Sequence, residues 1–225
     1  MKLLLLHPLP LDGSIFSDSL RSLVDDCVSP TLYEHGDDLV GWARAALDAV
    51  GDGPVVVVGN SVGGSCAVEV ARLAPTKVEG LVLCGTKAGH RPEPDLRDEA
   101  LETLGRQGLR VAWERYWRPL FGPDVSADAV EQGWRSTTRV GAESVASGVR
   151  AFHGRADREG VLEAWTGRVA FVNGEYDTHP DRYRRLADRL PLGSFHLVGG
   201  VGHYVPLEAP DALTAVTAHV LAAVS

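Results

Sequence analysis

Four consecutive valines, Val55 to Val58, preceded by Pro54 and closed by Gly59, make a run with no polar position on either face. A strand with one wet face alternates apolar and polar residues, so an unbroken apolar run points to a central parallel strand covered by helices on both sides. Directly after it, Val62, Cys66, Val70 and Leu73 recur at three- and four-residue spacing, the period of an amphipathic helix. The chain therefore turns from buried strand to helix within Gly59-Asn60-Ser61-Val62-Gly63, with the serine at the corner.

The rest of the chain repeats this alternation. Lys2 to Leu6, Val28 to Leu32, Val78 to Cys84, Arg168 to Asn173 and Ser194 to Val198 read as strands. Phe16 to Val24, Asp38 to Val50, Asp181 to Leu190 and Pro210 to Val224 read as helices between or after them. Alternation of this kind predicts an α/β fold: a mostly parallel central sheet with helices on both faces. The length of 225 residues suits one domain, 1–225, with a single core. Residues 85–157 break the pattern: the segment is rich in Arg, Glu and Trp, has no strand-like run, and reads as a helical insertion. Within it Trp113, Trp117 and Phe121 recur at i, i+4 beside a stripe of Tyr116 and Leu120, predicting one helix that ends at Gly122 and Pro123.

Charge and composition narrow the partners. A net charge of -8 opposes docking on nucleic-acid phosphates or an anionic membrane surface, leaving a small-molecule substrate as the expected partner. The leucines of the first ten residues stop at His7 and Pro8, too short a run for a signal peptide, and no apolar stretch reaches the roughly 18 residues of a membrane span. A cytoplasmic location is expected. Cys27, Cys66 and Cys84 are odd in number and lack C-x-x-C spacing, so they read as buried, reduced thiols and not as a disulfide frame or metal site. No metal and no organic cofactor is expected.

The corner at Ser61 has the G-x-S-x-G pattern of a nucleophile elbow in its required context, strand before and helix after. An N-cap serine is the plain alternative for such a position. Through this motif the chain resembles the α/β-hydrolase superfamily, and the resemblance covers nearly all of it except the insertion. The run Gly200-Val201-Gly202-His203-Tyr204, after the last short strand and before Glu208 and Pro210, is similar to the family's base-bearing loop. The resemblance implies His203 as general base, a role suited to imidazoles because they exchange protons near neutral pH. It further implies a carboxylate between serine and histidine in chain order. Asp177 stands there, with Gly174 three before and Pro180 three after; Glu175 is its neighbour, and the family's other acid position offers only Gly85 and Thr86. For the oxyanion hole the resemblance implies the N–H groups of Val62 and Leu9. The loop His7-Pro8-Leu9-Pro10 departs from the family's His-Gly pattern, and its two prolines leave Leu9 as the local donor.

The expected activity is hydrolysis of a small ester, lactone or thioester through a Ser-His-Asp triad and an acyl-enzyme. The alternative is a lyase or cyclase using the same triad, motivated by Pro8 and the many arginines of the insertion; a binding module is a third class. By the same resemblance the 85–157 insertion is expected to fold over Ser61 as a lid, and its segment Arg150 to Asp157, with Phe152, Arg155 and Asp157, resembles the lid exit of small esterases and enol-lactonases. Arg97, Arg110, Arg115, Arg118, Arg135 and Arg139 are candidates for pairing with a substrate carboxylate or with protein acids, and Trp113, Trp117 and Trp134 for lining a pocket or holding the insertion in place.

Overall fold

In a computed structural model, which describes residues 1–89, 93–178 and 180–224, six strands form one sheet in the order β2-β1-β3-β4-β5-β6. They are β1 (Lys2–Leu6), β2 (Cys27–Val28), β3 (Val55–Asn60), β4 (Val78–Cys84), β5 (Arg168–Gly174) and β6 (Gly193–Val198). All five pairings are parallel, with Leu6 opposite Gly59, Gly59 opposite Leu83 and Leu83 opposite Phe171. The longer helices are α1 (Leu39–Val50), α2 (Val62–Leu73), α3 (Pro94–Arg106), α4 (Ala127–His153), α5 (Pro180–Ala187) and α6 (Pro210–Val224).

Side chains alternate across the sheet, so two apolar layers form. Leu4, Leu6, Val55, Val57, Leu81, Leu83, Val169 and Phe171 pack with residues of α1, α2 and α5. Leu3, Leu5, Val56, Val58, Val82, Cys84, Ala170 and Val172 pack with residues of α6, the 94–153 segment and Tyr204. Both faces of β3 are fully buried, as the valine run requires. Helix α1 shows the same logic locally: the Asp38 carboxylate caps it by accepting the Gly41 N–H at 2.8 Å, and Leu39, Trp42, Ala43, Ala46 and Val50 face the sheet.

Three expected elements differ. The strand proposed over Val28 to Leu32 is only Cys27–Val28, because Pro30 lacks the N–H that a ladder needs and the chain turns into a 3-10 segment at Leu32–His35. The helix over Phe16 to Val24 is one turn, Asp18–Arg21, closed by the Ser22 hydroxyl donating to the Asp18 and Ser19 carbonyls. The aromatic helix ends before Gly122: a turn at Leu109–Ala112 widens to a π-turn over Trp113–Trp117 and tightens to 3-10 at Arg118–Leu120. Pro119 has no N–H to donate to residue 114 or 115, so neither the π nor the α ladder continues past it. Cys66 and Cys84 are buried and free, while Cys27, on the sheet edge, is free but only partly buried, short of the full burial expected.

The sequence order reverses between β1, which leads to β2 on one side, and β3 on the other. In open α/β sheets such a reversal opens a crevice at the carboxyl ends of the two strands. Leu9 follows β1 and Ser61 follows β3, so both stand at that crevice.

Candidate active site

Ser61 is the corner of the β3-α2 turn. Its φ of 56° and ψ of -121° make it, among the described residues, the single non-glycine with positive φ, a conformation that costs free energy and persists when its surroundings enforce it. The enforcement is visible: the Ser61 N–H donates to the Cys84 carbonyl at 2.8 Å, and the Ser61 carbonyl accepts the Ser65 N–H at 3.1 Å. Gly63 lets α2 lie against β1. A Cβ there would sit 2.5 Å from the His7 carbonyl oxygen and closer still to that of Leu6. Buried Asn60, the variable residue before the serine, donates from Nδ2 to the carbonyls of Cys84 and His203, each at 3.0 Å. One amide thus joins the serine turn to the histidine loop.

His203 Nδ1 lies 2.8 Å from Asp177 Oδ1, with side-chain exposures of 11% and 3%. A carboxylate only accepts, so Nδ1 carries the hydrogen and the lone pair of Nε2 is free for a proton. The Thr178 N–H also donates to Asp177 Oδ1, at 2.6 Å. Glu175 is turned away and accepts the Gly200 N–H at 2.9 Å. Gly85, at the other acid position of the resemblance, packs on the pair: a Cβ there would lie 2.5 Å from Asp177 Oδ2 and 2.9 Å from His203 Nδ1. Ser61 and His203 line the same cavity, with no hydrogen bond between them among the described residues. His179, within the acid loop, lies outside the described residues.

The histidine loop is held by a residue that the sequence shows only as a landmark. Glu208 Oε2 accepts the N–H of Gly122 at 2.7 Å and of Gly202 at 2.9 Å, and Oε1 accepts that of Tyr204 at 3.0 Å. The His203 N–H donates to the Leu120 carbonyl at 2.8 Å, completing a weld between residues 120–122 and 202–204. Glu208→Gln puts an amide NH2 where an acceptor is needed, so it is expected to lower stability by about 1–3 kcal/mol. Its kcat on a simple ester is expected to fall by about tenfold or more with a smaller change in KM; urea unfolding and steady-state kinetics check both.

Leu9 is fixed from three sides. Its carbonyl accepts the Tyr204 hydroxyl at 3.2 Å, and the Tyr33 hydroxyl lies 3.1 Å from the Pro8 carbonyl and 3.0 Å from that of Leu11. His7 Nε2 accepts the Leu32 N–H at 3.0 Å. The Leu9 N–H has no acceptor among the described residues, and Val62, as the first residue of α2, has no intrahelical acceptor. Two unpaired N–H groups therefore flank the crevice that holds Ser61. His7 is fully buried, and burial lowers its pKa from 6.5 to about 4. The unfolded chain takes up this proton first, so the contribution is whole above pH 6.5 and is lost as the pH falls towards 4, by about 3 kcal/mol. Urea unfolding between pH 7.5 and 4.5 is expected to show this loss, with a shallower slope for His7→Asn.

The cavity beside Ser61 has a volume of about 220 Å³. Leu9, Leu96, Ala100, Tyr116, Trp117, Leu120, Val149 and Phe152 make it mostly apolar, with Lys87, His153 and Thr178 as polar groups outside the Asp177–His203 pair. Of the three candidate tryptophans only Trp117 lines it; Trp113 and Trp134 pack on each other with centroids 5.9 Å apart. The six candidate arginines are all taken by protein carboxylates: Arg97 by Asp98, Arg110 and Arg118 by Glu114, Arg115 by Glu99, Arg135 by Glu131 and Arg139 by Asp12. Of these alternatives, the solvated, protein-paired one is what the structure contains.

Sheet, serine turn and Asp–His pair together describe the architecture of an α/β-hydrolase. Residues 3–216 match the alpha/beta hydrolase family, and the chain belongs to it. It is 36% identical over 93 residues to lipase LipV of Mycobacterium tuberculosis; the match covers 36% of this chain and 36% of that protein, so the chain spans little more than a third of this curated relative. Its fold is that of a thermophilic esterase from Thermogutta terrifontis, with a TM-score of 0.86 at 23% identity over 100% of this chain and 90% of the other. The enol-lactonase of Burkholderia xenovorans is also similar, with a TM-score of 0.79 at 18% identity over 98% of this chain and 91% of the other. No helix among the described residues is long and apolar enough to cross a membrane.

Proposed function

We propose that the protein hydrolyses a small carboxylic ester, lactone or thioester at Ser61. The observation that carries this reading is the 2.8 Å pair of His203 and Asp177 facing the same cavity as a serine held at positive φ. Ser61 Oγ attacks the carbonyl carbon while His203 Nε2 takes its proton, and Asp177 stabilises the imidazolium. The N–H groups of Val62 and Leu9 hold the oxyanion. The tetrahedral intermediate expels the alcohol or thiol with the proton from His203, leaving Ser61 acylated. Water, deprotonated by His203, then releases the acid and restores the serine. Within a single 1–225 domain, the 85–157 segment serves as the lid, its Trp117, Leu120 and Val149 excluding water from the acyl group.

The test is intact mass after brief exposure to a fluorophosphonate, comparing the wild-type chain with Ser61→Ala and His203→Ala. Labelling of the wild type alone, with steady turnover of an activated ester, supports the reading. Absence of both reactions in the wild type overturns it.

A further inference from the structure

With the six candidate arginines taken, the cation left facing the cavity is Lys87, on the loop after β4. It has no ion pair among the described residues; its Nζ stands over the Phe152 ring, 5.7 Å from the centroid. Beside it His153 lines the same cavity and has a buried Nδ1 with no hydrogen-bond partner. The Arg155 guanidinium lies over the same ring, 4.1 Å from its centroid; Arg155 is 5% exposed and has a buried Nε without a partner. Glu93 acts on His153 and Arg155 at a distance and forms no ion pair with these groups among the described residues. Two basic side chains and an unsatisfied imidazole nitrogen therefore meet around Phe152 at the cavity wall, in a chain of net charge -8.

An ammonium facing an apolar cavity loses hydration, and the ring face offsets only part of that loss. A carboxylate on the bound molecule restores it. We propose that Lys87 and His153 form a carboxylate subsite, so that the substrate is an ester, lactone or thioester bearing a second, free carboxylate. Lys87 supplies the charge and His153 a ring N–H, while Arg155 positions Phe152 by lying over its ring and by donating from Nη1 to its carbonyl. This rests on the hydrolase reading for the reaction, and on Lys87, His153 and Phe152 for the carboxylate.

The experiment has a kinetic arm and a binding arm. The 4-nitrophenyl monoesters of succinic, glutaric and adipic acids are compared with the 4-nitrophenyl esters of the corresponding methyl-terminated acids, for the wild type, Lys87→Met and Lys87→Arg. At least one charged ester is expected to exceed its neutral counterpart about tenfold in kcat/KM; Lys87→Met removes that preference and Lys87→Arg retains most of it. In the binding arm, glutarate and adipate are titrated into the full chain and followed by amide chemical shifts, which needs no turnover. Shifts at Lys87 and His153 that Lys87→Met abolishes uphold the subsite even if no ester is hydrolysed. Turnover of neutral esters with no charged ester preferred by the wild type, and no shifts with either dicarboxylate, overturns it while leaving the hydrolase reading intact.

Discussion

Ser61→Ala is expected to lower ester turnover by a factor of about 10⁴ or more, since residues acting as a nucleophilic unit lose most of their effect when one is removed. The same position carries an expected gain in stability. Ser61 holds φ at 56°, which a side chain resists and glycine does not, so Ser61→Gly should be inactive yet more stable by about 1 kcal/mol. Turnover of an activated ester together with urea midpoints for the three chains checks both effects. A Ser61→Gly chain that is both inactive and less stable would show that the serine turn is not strained.

The second large effect is expected at Gly63. An added Cβ meets the carbonyl oxygens of Leu6 and His7, which are backbone atoms of β1 and its following loop and cannot swing aside as a flexible side chain would. Either α2 or the His7-to-Leu11 loop must move. Gly63→Ala is therefore expected to cost about 1–3 kcal/mol or more by overpacking. Movement of Leu9 relative to Ser61 and Val62 is expected to lower kcat/KM by about 10²-fold in addition. Gly105 in α3 provides the control: nothing lies within 4 Å of its added Cβ, so Gly105→Ala is expected to stabilise the helix by about 1 kcal/mol without touching turnover. Equal urea midpoints for the two variants would remove the proposed contact between α2 and β1.

What the sequence discloses here is what is local. The valine run, the helix period from Val62 and the short turn between them lie within twenty residues, and the structure reproduces them almost residue for residue. Elements whose ends depend on one residue were legible with less precision: Pro30 and Pro119 each cut short an apolar pattern that continues past them. The partners of Glu208 were not legible, because Gly122 is 86 residues away and only the folded chain brings its N–H to the carboxylate. Asn60 is comparable, reaching the His203 carbonyl across 143 residues. The arginines of the 85–157 segment show the reverse case. The six candidates could have paired with a substrate carboxylate or with protein acids, and all six pair with protein carboxylates, three of them with a Glu one helical turn away.

The shared carboxylate of Glu208 also sets a rule for rebuilding the protein. Because Gly122 and Gly202 are tethered to one oxygen, the segment between β4 and β5 is not an interchangeable module that can be lifted off the sheet and exchanged for another of similar length. A transplanted segment arrives without a matching amide at that oxygen and without the Leu120 carbonyl that receives the His203 N–H. Chimeras should therefore be cut so that residues 118–123 and 200–209 travel together, and libraries that vary the cavity wall should leave both stretches from the same parent.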